Sequence, residues 1–303
     1  MDRSRKIGVS IVATALLIGL FTVSQAFGAA LTSSVTVSNA APVVSAVTLN
    51  GGSAITLTGN TTTNVNVVAT ISDNNGCSDI TGGTTTILLY RTGVGSSTCL
   101  TTPNNANCYI ATAFTASSSC AGTSVNTTTT FPVYYFAQAT DASSSFSSQG
   151  WKATVIFKDP SNASNSAESG TSTMNTLLSI NVTTGTIAYG TLAPQATSPI
   201  ATTTIQNAGN CSSTLQTSAQ VTLTAGGNTI TTSSQHYATT SFTYGVSDVA
   251  LASAPSTVSG FFLIGPTSTN PIQQNLYWAL QVPSAQPTGT YSGTNLLTAV
   301  YSP

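Results

Sequence analysis

The side chains able to do chemistry are few, and their spacing narrows what they can do. His236 is the only histidine in 303 residues. A Ser or Cys nucleophile ordinarily needs a His base that a third group orients. No Gly-x-Ser-x-Gly stretch offers a nucleophile elbow. His236 sits in Ser234-Gln235-His236-Tyr237-Ala238, where it reads as a surface residue at a strand edge. Glycoside hydrolysis needs two carboxylates converging on one cleft. Beyond residue 28 the acids are Asp73, Asp79, Asp141, Asp159, Glu168 and Asp248, scattered along the chain. The sequence therefore reads as a non-enzyme.

Asp73 and Asp79 are the candidate metal ligands, and calcium is the ion they suit. They flank Asn74-Asn75-Gly76, and calcium takes hard oxygens from carboxylates, Asn side chains and carbonyls. The competing reading is turn chemistry, in which Asp bonds its own backbone. Asp141 and Asp159 fall at the two ends of one expected hairpin and should not share an ion. No other cofactor is expected.

Cys77, Cys99, Cys108 and Cys120 lie close together and read as two disulfides, with three connectivities open. Zinc is a poor alternative, because no His is near and the short paired spacings are absent. Cys211 is left over, either as a buried thiol or as an intermolecular crosslink.

Only 4% of the chain is charged, against about a quarter in ordinary soluble domains. Ser and Thr take the place of charge, as in secreted surface proteins. Beyond residue 28 the cations are Arg91, Lys152 and Lys158. A nucleic-acid partner is excluded, because holding a phosphate backbone in salt takes several Lys or Arg contacts.

The N-terminus reads Met1-Asp2-Arg3-Ser4-Arg5-Lys6, then an apolar run from Ile7 to Val23. A basic start, an apolar run and small residues after it describe a secretory signal. We assign residues 1–28 to it and expect cleavage between Ala26 and Ala30. The rival is an uncleaved anchor, although the run of about 17 residues is short for a span of about 20. No second hydrophobic segment is long enough to span a membrane. The implied location is secreted or extracellular, at the cell surface.

The remaining chain is punctuated by Gly, Asn, Pro and Ser, with short alternating runs between them. That is the pattern of antiparallel sheets, and β-branched Thr and Val favour it. Val65, Val67, Ala69 and Ile71 share one face of a strand. Trp151, Ala153, Val155 and Phe157 share one face of another, with Lys152 and Lys158 on the opposite face. Phe131–Thr140 should be its hairpin partner. Gly93–Thr130 reads as an irregular Cys-rich insertion. Asp159–Thr173, nearly devoid of apolar residues, reads as the boundary between a domain at 29–168 and one at 169–303. Further strands are expected at 178–182, 187–192, 202–207, 219–224, 241–246, 276–282 and 291–301. The fold class is all-β, two tandem antiparallel β-sandwiches behind a signal helix. Tyr134, Tyr135, Phe136 and Trp151 offer either core packing or an aromatic platform for sugars.

Particular stretches resemble known modules. Ile180–Gln195 followed by Asn207-Ala208-Gly209-Asn210 is similar to the opening of immunoglobulin-like domains of bacterial and archaeal envelope proteins. Gln195 stands where that pattern usually has Gly. Tyr277–Pro283 with Pro287–Gly293 resembles their last hairpin. The first half, with Asn39-Ala40-Ala41-Pro42 and Thr140-Asp141-Ala142, resembles bacterial immunoglobulin-like or PKD-type modules. The resemblance implies immunoglobulin-like sandwiches and an exported structural or interaction protein of a prokaryotic envelope. Such a protein self-assembles through sheet edges or contacts other envelope proteins. The alternative is an adhesin or carbohydrate-binding module with glycan partners, calcium-dependent in one version.

Overall fold

A computed structural model describes residues 31–116 and 119–302. The assigned signal, residues 1–28, lies outside them. Residues 1–38 and 39–303 are separate units. In the first, the described residues 31–38 carry no regular secondary structure.

The second unit is built mostly from antiparallel strands. Its first half contains β1 (Val43–Leu49), β2 (Thr62–Ser72), β3 (Thr84–Arg91), β4 (Cys108–Ala111), β5 (Thr115–Ala116), β6 (Ser124–Tyr134), β7 (Trp151–Lys158) and β8 (Ser164–Glu168). They form two sheets, ordered β1-β2-β6-β5 and β4-β3-β7-β8. The apolar faces of β2 and β7 are those the alternation predicts. Val65, Val67, Ala69 and Ile71 share one buried cluster with Trp151, Ala153, Val155 and Phe157. A period of two puts one side of each strand into that core. On the far face of β7, Lys152 is half-buried and Lys158 is exposed.

Two expectations for this half are corrected. First, β7 does not pair with the 131–140 strand. It pairs with β3 and β8, while β6 pairs with β2 in the opposite sheet. The chain crosses between sheets through residues 135–150, and a crossover leaves no mark in the alternation. Second, Gly93–Thr130 is not an irregular insertion. It holds the short helix α2 (Ser96–Thr101), β4, β5 and the first half of β6, preceded in the chain by α1 (Cys77–Gly82). The run Ser124–Thr130 passes for a loop because it is polar, yet Thr127 and Thr129 are buried. Their hydroxyls donate to the carbonyls of Ala69 and Ala113. The segment Asp159–Thr173, expected as a boundary, carries regular structure of its own. It contains β8, and Met174 just beyond it is fully buried in the first core.

The second half contains β9 (Ile180–Val182), β10 (Ala201–Asn207), β11 (Ser213–Ala225), β12 (Asn228–Ile230), β13 (Gln235–Ala238), β14 (Val249–Ala250), β15 (Ser256–Thr257), β16 (Gln273–Leu280) and β17 (Ser292–Tyr301). One sheet runs β14-β13-β16-β10-β9. In the other, β11 carries β12 and β15 on one side and β17 on the other. Ile205, Leu215, Tyr237, Leu263, Leu276 and Trp278 fill the core between them. Residues 187–192 and 241–246 are not strands. The first line a cleft instead, and the second form a turn closed by Val246 N–H donating to the Thr243 carbonyl.

The Asn207-Ala208-Gly209-Asn210 motif stitches the two halves. Asn207 Nδ2 donates to the carbonyls of Cys211 and Ile264 at 2.8 and 2.9 Å, and its Oδ1 accepts from Gly209 N–H. Asn210 Oδ1 accepts from Leu177 N–H at 2.7 Å. A Cβ on Gly209 would lie 2.1 Å from the Leu177 carbonyl oxygen, so only glycine lets the backbones approach this closely.

Candidate functional site

The two acids expected as ligands meet a third at one pole of the first half. Asp73 follows β2, Asp79 lies in the first turn of α1 and Asp159 follows β7. Each offers a carboxylate oxygen, and the three oxygens lie within 4.8 Å of one another. Asp73 and Asp159 are almost wholly buried, and Asp79 is half-buried. The sequence brought only Asp73 and Asp79 together. Asp159 joins them because β7 lies in the sheet facing β2, so both strand ends reach the same pole. Asp141 is elsewhere: its carboxylate accepts from Thr176 N–H and from the Thr176 and Ser143 hydroxyls.

Turn chemistry is also present in the cluster. Asp73 Oδ1 accepts from Asn75 N–H at 2.8 Å, and Asp159 Oδ1 accepts from Ala163 N–H at 2.8 Å. Asp159 Oδ2 accepts from Asn39 Nδ2 at 2.8 Å. Asp73 Oδ2 is buried without any partner. Among the described residues no cation pairs with the three acids. Arg91 is held by Gln138 and Gln149 and lies 3.7 Å above the Phe146 ring. Lys152 pairs with Glu168 at 2.8 Å.

Of the three connectivities open to the cysteines, the fold adopts Cys77–Cys120 and Cys99–Cys108. The first ties α1, which carries Asp79, to the segment before β6. The second ties α2 to β4. Two disulfides indicate an oxidising, extracellular or periplasmic compartment. Among the described residues no helix is long and apolar enough to cross a membrane. Cys211 is a free, half-buried thiol whose Sγ lies 3.3 Å from the Leu177 carbonyl oxygen. Burial, with the charge of Asp141, pushes that thiol up to about 11.

His236 is not simply a surface residue. Its Nδ1 lies 3.0 Å from Asp248 Oδ2, its Nε2 lies 3.1 Å from the Ser233 carbonyl oxygen, and its ring packs 4.1 Å from that of Tyr244. A His beside an Asp invites comparison with a catalytic pair. Here, however, Nε2 faces the Ser233 backbone carbonyl instead of a nucleophile, and Nδ1 lies beside Asp248 without forming a hydrogen bond.

Tyr135, Phe136 and Trp151 are buried and Tyr134 stacks on Phe136 with ring centroids 5.0 Å apart, so these aromatics are packing groups. A cleft of about 810 Å³ opens in the second half instead. Tyr189, Leu192, Ile230, Leu280 and Tyr291 line it, and Gln235 closes its floor. Gln235 Oε1 accepts from the Tyr189 hydroxyl and Asn295 Nδ2, and its Nε2 has no partner. Burial pushes the Tyr189 hydroxyl up from its ordinary value. The apolar alternation of 187–192 is visible in the sequence, but it reads there as a strand. No family model matches this chain, and no curated protein is similar to it.

Proposed function

We propose that this chain is an exported, non-enzymatic structural or interaction protein of a prokaryotic cell envelope. In this reading its two sheet pairs are tandem immunoglobulin-like β-sandwiches, and copies join by sheet edges. The observation that carries the proposal is β17. It spans ten residues, Ser292–Tyr301, without a charge or a proline, and among the described residues it pairs only with β11. A long edge without Lys, Pro or a covering strand is a template for another chain.

The arm at residues 31–38 is the partner strand of choice. Leu31, Val35 and Val37 are 94%, 88% and 80% exposed. They fall on odd positions, which Ser33 completes, and Thr32, Ser34, Thr36 and Ser38 take the even ones. Added to β17 of a second copy, the arm would bury its apolar side and satisfy the open backbone edge. Copies would then join head to tail, which gives a filament instead of a closed dimer.

The test is electron microscopy and sedimentation of the exported chain, with Leu296→Lys on β17 and Val35→Lys on the arm. Both positions are exposed, so the monomer should fold. Ordered polymers of the native protein that both variants abolish would support the reading. A native protein that stays monomeric at high concentration would overturn it.

The cleft favours a second reading, a carbohydrate-binding or adhesive module, since an aromatic-walled pocket with an unpaired amide suits a sugar hydroxyl. Glycan-array binding lost in Tyr291→Ala would favour that reading over passive assembly.

A further inference from the structure

We propose that Asp73, Asp79 and Asp159 form a calcium site that fastens the start of the folded unit to its two sheets. Two oxygens bound to one calcium at about 2.4 Å are at most about 4.8 Å apart. The three carboxylates meet that limit. Two of them are buried, and no described Lys, Arg or His pairs with any of the three. Buried charges are ordinarily paired or bound to metal. Turn chemistry accounts for Asp73 Oδ1 and Asp159 Oδ1, and the Asn39 side-chain amide for Asp159 Oδ2. It does not account for Asp73 Oδ2, which is buried beside the other acids with no hydrogen-bond partner. A cation would supply that partner and remove the mutual repulsion of the three charges.

The donor set selects the ion. All three side-chain donors are oxygens. Cys77, two residues before Asp79, is in a disulfide and cannot serve as a thiolate. Zinc and copper prefer His and Cys. Magnesium keeps several waters and insists on an octahedron, whereas calcium accepts irregular shells completed by carbonyls and water. An irregular site with two desolvated carboxylates therefore suits calcium.

The site also has a mechanical consequence. Asn39 donates to Asp159, and Asn75 Oδ1 accepts from Ala40 N–H at 2.6 Å. The segment that leads into β1 is thus held by the same loops that carry the acids. An ion there would bridge the ends of β2 and β7, α1 and that segment. This proposal does not depend on assembly through β17.

The test is thermal unfolding and calorimetric titration of the disulfide-intact protein after chelator treatment, with calcium chloride or magnesium chloride as the only added probe. Calcium should raise the midpoint saturably, with a dissociation constant of about 0.1–1 mM if the site resembles extracellular modules. Magnesium should act at least tenfold more weakly. Asp79→Asn, at the half-exposed position, removes one of three mutually repelling charges, so it should not lower the metal-free midpoint, and it should weaken calcium binding at least tenfold. Asp141→Asn should bind calcium normally. No calcium response in the native protein, or an undiminished one in Asp79→Asn, would overturn the proposal.

Discussion

The side-chain amide of Asn210 donates to the Ala137 carbonyl across 2.9 Å, joining the second pair of sheets to the first. The same amide reaches the Asn175 carbonyl at 3.2 Å, and its Oδ1 receives Leu177 N–H. One half-buried side chain thus satisfies three backbone groups on two segments. Replacing it leaves those groups without partners, which costs more than the net worth of the bonds. Asn210→Ala should lower unfolding free energy by about 2–3 kcal/mol. Asn210→Asp should also destabilise, because a carboxylate cannot donate to the two carbonyls. Urea unfolding followed by circular dichroism would measure both.

The two disulfides should differ in their contribution. In the chain-entropy account, stabilisation grows with the loop closed. Cys77–Cys120 spans 43 residues and Cys99–Cys108 spans 9. The long loop is worth about 4 kcal/mol and the short one about 2.5 kcal/mol. Cys77→Ser with Cys120→Ser should therefore lower the unfolding free energy further than Cys99→Ser with Cys108→Ser. Loss of the first bridge also frees α1 and Asp79, so the calcium response should weaken with it and survive loss of the second.

What the sequence revealed followed from local periodicity, and what it concealed depended on which sheet each strand joins. The alternation of Val65 to Ile71 and of Trp151 to Phe157 identified the core faces, because burial on one side of a strand enforces it. Asp159 stayed outside the expected metal pair because nothing local says that β7 faces β2. Ser124–Thr130 passed for a loop because a buried Thr looks polar until its hydroxyl finds a carbonyl, as Thr127 does on Ala69. The cleft was hidden for the opposite reason: Ile187 and Tyr189 alternate like a strand but pair with none.

Acid should destabilise the fold through two identified carboxyls. Burial pushes Asp141 up, but bonds from Thr176 and Ser143 outweigh it and hold the group below its ordinary value. The hydrogen bond and charge of Lys152, aided by Tyr90 and Thr154, hold Glu168 down as well. A depressed folded value means the unfolded chain takes up protons first as pH falls. The stabilisation is therefore complete above the unfolded carboxyl range, about pH 4–4.5, and is lost as pH drops through the folded values. Urea midpoints should hold level from pH 7 to 5.5 and fall below pH 4, less steeply in Asp141→Asn. Lys152, raised by Glu168, acts at the other end. Its contribution is present below the unfolded lysine value and fades as pH rises through the folded one. Both partners are partly exposed to solvent, so that pair contributes little.

Cys211 should be a slow thiol, not a crosslink. The thiolate is the reactive form, and burial together with Asp141 holds the group protonated, up to about 11. At pH 8 only about one molecule in a thousand would carry the thiolate, against roughly a quarter for a free cysteine. Iodoacetamide should label the native protein at least a hundredfold more slowly than the urea-unfolded protein with its disulfides intact. Asp141→Asn removes the neighbouring charge and should speed native labelling several-fold. Labelling of the native chain as fast as the unfolded one, or a disulfide-linked dimer on non-reducing gels that Cys211→Ser abolishes, would show that the thiol is open to partners.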